Sequence, residues 1–437
     1  MIKSCKRKIV FAKFAGLLRV YARVKSYPMA NITEIRELFP ALSRKVYGKD
    51  LVYFDNAATS QRSQSVIDRW NEISSYSNAN IHRAVHRLAD EATQAYEGAR
   101  DAVKEFLNAS AREEIIFTAG TTASINLVAY SYGEAFVKEG DEVIVTEAEH
   151  HSNIVPWQLM CERKGAVLKV LPVDDNGYLM VEKLDELITP KTRILSVTHI
   201  SNVLGIINPI EKIIRICHSK GVHVLVDGAQ GVVHCKVDVQ YLDCDFYVFS
   251  GHKMYAATGT GVVYGKRELL EAMPPYMGGG EMVGNVSFTK TTYAPLPMKF
   301  EAGTQNFASI PTLKEAIECA NLLSNNEIVY NYDKIRDYLL DYFMSDDRFT
   351  LYGVPRGTSE DKIALFSFTV KGVHHEDLAL ILDKMGIAVR SGQMCAEPLM
   401  DRFGVTGMLR ASVAPYNTME EAEYFVKCLN RAIDMLQ

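Results

Sequence analysis

Between Leu51 and Val263 the chain repeats an apolar run, a polar turn and a helical stretch, a pattern that few folds can accommodate. The alternation is typical of strands that lie parallel in one sheet, because a helix must cross over before each next strand begins. Polar residues that follow such strands meet at one edge of the sheet, where open α/β folds bind ligands. We predict strands at 51–54, 114–117, 141–146, 193–198, 222–226 and 246–249.

Two motifs follow the last two of these strands: Asp-Gly-Ala-Gln at 227–230 and Ser-Gly-His-Lys at 250–253. Pyridoxal 5'-phosphate (PLP) needs a lysine amine for its aldehyde and an anion that keeps its pyridine nitrogen protonated. Lys253 and Asp227 meet these needs, and Gln230 could donate to the phenolic oxygen of the ring. On the residues alone, a surface lysine and a helix-capping aspartate are equally good interpretations.

In combination, the two motifs resemble those of the aminotransferase class V family, and specifically its SufS-type (type II) cysteine desulfurases. The resemblance runs from about Asn31 to the C terminus. It implies an α/β, PLP-dependent fold-type-I enzyme, with a mainly parallel sheet in a large domain and a smaller α+β C-terminal domain. It also implies a homodimer that converts L-cysteine to L-alanine and supplies sulfur for iron–sulfur cluster assembly, through an acceptor protein of the SufE or SufU kind. A selenocysteine lyase or another class V PLP lyase is the alternative.

The segment 118–122, Thr-Ala-Gly-Thr-Thr, lies between a predicted strand and a helix that we predict over 123–132. Backbone amides and the positive end of the dipole attract phosphate to a helix N-terminus. We therefore predict Thr121 and Thr122 as phosphate ligands. The segment resembles the family's Gly-Thr-Thr-Glu motif, although Ala123 stands where the acid is usual.

The resemblance implies further cofactor contacts. It places His150 on the pyridine ring, where it would also act as an acid–base group, and it places Asn202 near a cofactor oxygen. It adds Ser250 and His252 from the lysine motif to the cofactor-binding set. It also implies that Thr304 reaches the neighbouring subunit of the dimer and contacts the phosphate there.

Substrate contacts are predicted in two places. The Asn-Ala-Ala turn at 56–58 lies by the substrate in the family, which implies roles for Asn56 and Ala57, although such a turn could be purely structural. Arg410 offers a forked donor that suits the carboxylate of an amino acid, and the resemblance adds Asn202 to that contact. Lys253 would then move a proton at the substrate Cα.

The polar loop 390–398 carries a thiol, Cys395, near Arg390. A nearby cation favours the thiolate form that a nucleophilic cysteine needs. Taken alone, Cys395 would be an incidental thiol, but the sulfur-accepting cysteine of the family occupies this place, which implies a persulfide on Cys395. Family members often carry histidines where this chain has Gln393 and Met394, so the way in which the thiol is deprotonated is left open.

Composition restricts the partners. The net charge of −5 and the charged share of 23% give no reason to expect nucleic acid, and no apolar run reaches membrane-spanning length. Eight cysteines are scattered without zinc spacing, and the histidine pair at 150–151 has no third ligand near in sequence, so we predict no metal site. Scattered thiols fit the reducing cytosol, which predicts a cytoplasmic protein with no membrane partner.

The first 30 residues differ from the rest, because they contain eight basic and no acidic residues. They could form a targeting peptide. We favour an upstream start codon or a non-essential extension, since the resemblance begins just after Met29. The predicted organisation is a basic extension at 1–28, a helix packing with the small domain at 29–48, a large PLP-binding domain at 49–310 and a small domain at 311–437.

Overall fold

The computed structural model describes residues 31–353 and 361–437, so the extension predicted at 1–28 lies outside the described residues. In chain order the described strands are Lys45–Val46 (β1), Lys49–Asp50 (β2), Val52–Tyr53 (β3), Ile115–Thr118 (β4), Glu142–Thr146 (β5), Val167–Leu171 (β6), Thr192–Thr198 (β7), His223–Asp227 (β8), Phe246–Ser250 (β9), Gly261–Gly265 (β10), Val283–Val286 (β11), Thr291–Tyr293 (β12), Phe349–Tyr352 (β13), Leu365–Val370 (β14), Ile387–Ala388 (β15), Arg390–Gly392 (β16) and Met408–Ser412 (β17).

The α-helices follow the same order. They are Ile32–Glu37 (α1), Gln64–Tyr76 (α2), Arg87–Leu107 (α3), Thr121–Phe136 (α4), Val155–Lys164 (α5), Leu184–Leu187 (α6), Ile210–Ser219 (α7), Gly231–His234 (α8), Val239–Leu242 (α9), Arg267–Ala272 (α10), Thr312–Leu323 (α11), Asn326–Met344 (α12), His375–Lys384 (α13), Glu397–Phe403 (α14) and Met419–Leu436 (α15).

A seven-stranded sheet, in the order β4-β10-β9-β8-β7-β5-β6, forms the centre of the larger part. Strands β5 to β9 pair in parallel, whereas β10 is antiparallel to both of its neighbours. Helices cover both faces: on β5, Ile144 faces one apolar core, while Val143 and Val145 face another. Burial on both faces explains why these strands are continuous apolar runs. The predicted mainly parallel α/β architecture is confirmed.

The smaller C-terminal part is built on the antiparallel sheet β13-β14-β17-β16. Its core includes Phe343, Phe366, Leu409 and Phe425. Two N-terminal residues, among them Phe54, also belong to this core, and β3 pairs in parallel with β15. The smaller α+β part that we predicted is therefore present. The strand predicted at 51–54 belongs to it and not to the large parallel sheet, because β3 pairs with β15.

The domain boundary predicted at residue 310 falls just before α11. This helix contributes Leu313, Ala316 and Leu323 to the larger core, whereas α12 contributes to the smaller core from Ile335 onward. The N-terminal helix α1 contacts both parts, because Ile35 packs in the larger core and Arg36 pairs with Glu421 of the last helix. The exact boundaries stay a prediction.

Within the described ranges, no helix combines the length and the apolar character that crossing a membrane requires. The same ranges hold no cluster of three or more histidine, cysteine, aspartate or glutamate side chains suited to a metal ion. All cysteines described are free thiols.

Candidate active site

A cavity of about 200 Å³ opens where β7, β8 and β9 end, at the edge that the strand pattern predicts. Residues from both parts of the fold line it. The predicted site residues in its lining are Ala57, Thr121, Thr122, His150, Asn202, Asp227, Gln230, Ser250, His252, Lys253, Cys395 and Arg410. Two predicted residues, Asn56 and Thr304, are not among the residues that line it.

Lys253 and Asp227 give the cavity one base and one acid. Asp227 is the last residue of β8 and is only 4% exposed. Its Oδ1 accepts a hydrogen bond of 2.9 Å from the amide of Ala229. Burial raises the pKa of Asp227 and lowers the pKa of Lys253, and the attraction between the two charges opposes both shifts. The lysine is thus closer to the neutral amine that an aldehyde requires.

His150 follows β5, and a backbone amide two residues later fixes its imidazole ring. Its Nδ1 accepts a hydrogen bond of 3.0 Å from the amide of Ser152, so Nε2 is the nitrogen that is left to carry or release a proton. Burial, with the charge of Lys253 nearby, lowers the pKa of His150 to about 4. The imidazole is therefore neutral near pH 7.

Glu149, one residue earlier, fixes the end of β5 against β7. It is fully buried, and its Oε1 accepts hydrogen bonds from the amide of Thr198 at 2.8 Å and from the hydroxyl of Thr146 at 2.6 Å. Burial raises the pKa of Glu149 to about 8. This anchor places the adjacent His150 over the edge of the sheet.

The N-terminus of α4 supplies the predicted phosphate cup. Helix α4 begins at Thr121, whose amide donates to Ser250 Oγ at 2.7 Å. Gly120 precedes it at φ 146°, a backbone conformation that favours glycine. The hydroxyls of Thr122 and Ser152 are 2.8 Å apart. Hydroxyls and helix amides thus lie together at the cavity wall, as a phosphate group requires.

In the Asn-Ala-Ala turn, the two alanines line the cavity and the asparagine does not. Gln230 Nε2 donates to the carbonyl of Ala57 at 2.8 Å, which ties the turn to the motif after β8. The side chain of Asn56 is buried: its Nδ2 donates to the carbonyl of Ser412 at 2.8 Å, and its Oδ1 accepts from the hydroxyl of Tyr416. In this arrangement, Asn56 supports the turn from behind the cavity.

Arg410 enters from β17 and is 2% exposed. Its Nη1 donates to the carbonyl of Asn202 at 2.8 Å, and its Nη2 donates to Asp55 Oδ1 at 3.1 Å. Within residues 31–353 and 361–437, its buried Nε has no hydrogen-bond partner. Arg390 lies 3.8 Å from the other oxygen of Asp55. One carboxylate between two guanidinium groups leaves a net positive charge for an anionic ligand.

Cys395 is exposed and also lines the cavity, so its thiol is accessible to a small molecule. The loop that carries it is tied to the larger part, because Asn202 Nδ2 donates to the carbonyl of Met394 at 2.9 Å. The other described cysteines are buried or partly buried: Cys161, Cys217, Cys235, Cys244, Cys319 and Cys428.

Thr304 lies in an exposed loop outside the cavity lining. The loop is anchored by Glu301, which is 4% exposed. Arg100 Nη1 and the amide of Phe117 each donate to Glu301 Oε1 at 2.7 Å. The predicted contact of Thr304 across a dimer stays a prediction.

Two residues at this site have no role in the sequence-based predictions: Asp55 and Ser152. Asp55 holds Arg410, and Ser152 holds His150 and Thr122. Asp55 precedes the Asn-Ala-Ala turn and Ser152 follows the histidine pair. Their position next to these motifs was the one sign in the sequence that they belong to the site. Arg410 and Thr122 come from distant segments, which the motif alone does not identify.

The residues present fit PLP. A buried carboxylate ends β8, a lysine with a lowered pKa follows β9, and hydroxyls with helix amides form a cup on the same cavity wall. The buried Nε of Arg410, which is unpartnered within the part of the chain described, is free for a carboxylate. These are the partners that the pyridine nitrogen, the aldehyde, the phosphate and an amino acid need.

Known proteins resemble this chain over nearly its whole length. A probable cysteine desulfurase of Vibrio cholerae serotype O1 is 45% identical over 408 residues, 93% of this chain and 100% of its own. The crystal structure of the cysteine desulfurase CsdA (S-sulfonic acid) from Escherichia coli superposes with a TM-score of 0.85 at 41% identity, covering 93% of this chain and 100% of that chain.

The apo structure of a cysteine desulfurase from Thermococcus onnurineus NA1 has a TM-score of 0.87 at 34% identity, and it covers 94% of this chain and 100% of that chain. A family model described as aminotransferase class-V matches residues 52–425. The chain therefore belongs to the aminotransferase class-V family.

Proposed function

We propose that this protein is a PLP-dependent cysteine desulfurase, which converts L-cysteine to L-alanine and holds the sulfur as a persulfide on Cys395. The observation that carries the proposal is that Lys253, Asp227, Arg410 and the exposed Cys395 line one cavity. The relatives named cysteine desulfurase support it, since they match over nearly the whole chain.

Asp227, Lys253 and the α4 cup would hold the cofactor. Asp227 would pair with the pyridine nitrogen, and Lys253 would bind the aldehyde. Thr121 and Thr122, with Ser250 and the neighbouring His252, would take the phosphate. When bound, PLP withdraws electrons from the Cα of an amino acid and so makes its proton acidic.

Arg410 would orient the substrate, because its fork and the neighbouring Asn202 can grip the carboxylate of cysteine. Lys253, once released by the incoming amine, can take the Cα proton because burial lowers its pKa. The neutral imidazole of His150 can carry a proton on Nε2.

Cys395 would then accept the sulfur. Its thiolate Sγ bonds to the substrate sulfur while the bond between that sulfur and the substrate Cβ breaks. The electron pair of the broken bond stays with Cβ, which takes up a proton, and Lys253 returns a proton to Cα, so the carbon product is alanine. The persulfide remains on an exposed loop, where a second protein can reach it.

The proposal includes a homodimer, a sulfur-acceptor protein of the SufE or SufU kind, iron–sulfur cluster assembly as the destination and a cytoplasmic location. Exposure of Thr304 on a loop fixed by the buried pair of Arg100 and Glu301 supports a contact with a partner subunit. Exposure of Cys395 supports delivery to an acceptor, and free thiols support a reducing compartment.

Steady-state assays with two substrates test the proposal. Holoenzyme should release alanine from L-cysteine, and Cys395→Ser should lose nearly all of that activity while it still binds PLP. L-selenocysteine is the control substrate. A Cys395→Ser protein that retains wild-type turnover of L-cysteine would reject the persulfide, and activity toward L-selenocysteine alone would favour a lyase.

A further inference from the structure

The loop that carries Cys395 has a strained backbone. Met394 and Cys395 have φ angles of 55° and 56°, in the left-handed region that residues with a Cβ rarely adopt. Two such residues in succession are strained and persist only where surrounding contacts hold them. The contacts that hold this loop therefore decide where the thiol lies.

Two of these contacts come from one residue, His151. Its amide donates to the carbonyl of Cys395 at 2.7 Å. Its side chain reaches further along the loop, where Nε2 accepts a hydrogen bond of 3.0 Å from the amide of Glu397. His151 thus spans the loop from residue 395 to residue 397, and the bond to Glu397 requires an unprotonated Nε2.

His151 also connects the loop to the cofactor side of the cavity. It is the direct neighbour of His150, and the two ring centroids are 6.3 Å apart. Helix α14 begins at Glu397, whose amide has no partner within the helix. The imidazole of His151 supplies that partner from the larger part of the fold. The contact therefore ties the start of α14, whose Leu399 and Met400 pack in the larger core, to the segment that follows β5.

We propose that His151 is a positioning residue that clamps the Cys395 loop over the cavity, so that the thiol meets the substrate sulfur. The inference rests on the proposed function of Cys395. It assigns His151 no contact with substrate or cofactor, since His151 does not line the cavity. Sulfur transfer needs a close approach of two sulfur atoms, and a misplacement of about 1 Å can cost about 100-fold in rate.

A matched pair of variants isolates the acceptor atom. In His151→Gln, the side-chain oxygen reaches about as far as Nε2 and can accept from the amide of Glu397. In His151→Asn, the oxygen reaches only as far as Nδ1, so the clamp is lost while the size, polarity and backbone donor change little. Both variants are measured as PLP-loaded full-length protein.

We expect His151→Asn to lower kcat for alanine formation by about 10-fold to 100-fold with little change in KM, and His151→Gln to restore most of it. Hydrogen exchange of the Glu397 amide should be about 5-fold to 10-fold faster in His151→Asn than in His151→Gln. The visible absorbance of bound PLP and the melting temperature should stay the same in both. Equal exchange and equal kcat in the two variants would overturn the proposal.

Cys395→Ala separates this inference from the function on which it rests. If Cys395→Ala forms alanine as fast as wild type, the proposed function fails whatever His151 does. If Cys395→Ala is inactive and His151→Asn keeps wild-type kcat, the clamp fails while the function stands. A fall in kcat that His151→Gln does not restore would also count against the clamp.

Discussion

At Lys253 and Asp227, burial sets the chemistry of individual residues. A lysine amine in water is charged at neutral pH, but burial lowers the pKa of Lys253, with Asp227 opposing the shift. The same burial raises the pKa of Asp227. Asp227 ends β8, and Lys253 lies in the turn after β9. Because the two strands are parallel neighbours, the meeting of these residues at one sheet edge could be predicted from the sequence.

Lys253→Ala should abolish the covalent attachment of PLP, because no other lysine lines the cavity formed by the described residues. Its visible absorbance should be lost on dialysis, and nearly all alanine formation should be lost with it. Asp227→Asn is the control that keeps the side-chain shape: it should keep the covalently bound colour and still lose turnover. Normal activity in Lys253→Ala would contradict the assignment.

The role of Asn56 shows where residue-level prediction ends. Its motif predicts a substrate contact, and the adjacent Ala57 does line the cavity. The amide of Asn56 instead contacts Ser412 and Tyr416, which lie 356 and 360 residues away in the chain. Contacts over such separations depend on how the two parts pack, and a local motif carries no signal of them.

At the scale of the element, the start of a helix can be predicted from the sequence because capping is local. Thr418 and Glu421 have the spacing of a capping box, and the last helix begins there with both reciprocal hydrogen bonds. Asn31 likewise caps α1, as its sequence indicates. The strand order, with β10 inserted antiparallel between β4 and β9, could not be predicted, because strand neighbours are chosen by long-range packing.

Thr418→Ala should lower the free energy of unfolding by about 1 kcal/mol, since the amide of Glu421 loses its acceptor. The effect is expected to spread to α1, because Glu421 Oε1 pairs with Arg36 at 2.5 Å. Chemical denaturation measures it, with Thr418→Ser as the variant that keeps the cap. A loss of equal size in Thr418→Ser would show that the cap is not responsible.

At the scale of the whole molecule, acid should destabilise the fold. Burial lowers the pKa of four histidines to about 4: His150, His199, His234 and His252. In the unfolded chain they titrate near 6.5. Between these two values the unfolded state binds more protons than the folded state, so the free energy of unfolding falls as pH falls from about 6.5 to 4.

His199 offers the cleanest test of this pH dependence, because it is buried and bonds to the hydroxyl of Tyr247 at 3.0 Å. Between pH 7 and pH 5.5 the wild type should lose about 1 kcal/mol more stability than His199→Gln does. Denaturation at the two pH values in each protein gives the difference. Parallel losses in both proteins would exclude His199 as a contributor.

Removing residues 1–28 should change neither melting temperature nor activity, because the family model matches from residue 52 and the large core is built from Ile32 onward. Thermal unfolding and alanine formation of the shortened protein provide the check. A large fall in either would show that the basic segment belongs to the folded enzyme. Import of the full chain into an organelle would support a targeting role.

The most direct test of the persulfide on Cys395 is mass spectrometry of the holoenzyme after incubation with L-cysteine, with digestion under non-reducing conditions. We predict one added sulfur on the peptide that contains Cys395, and no added sulfur on any peptide of Cys395→Ala, which should still bind PLP. Sulfur on another of the eight cysteines, or wild-type alanine formation by Cys395→Ala, would contradict the mechanism.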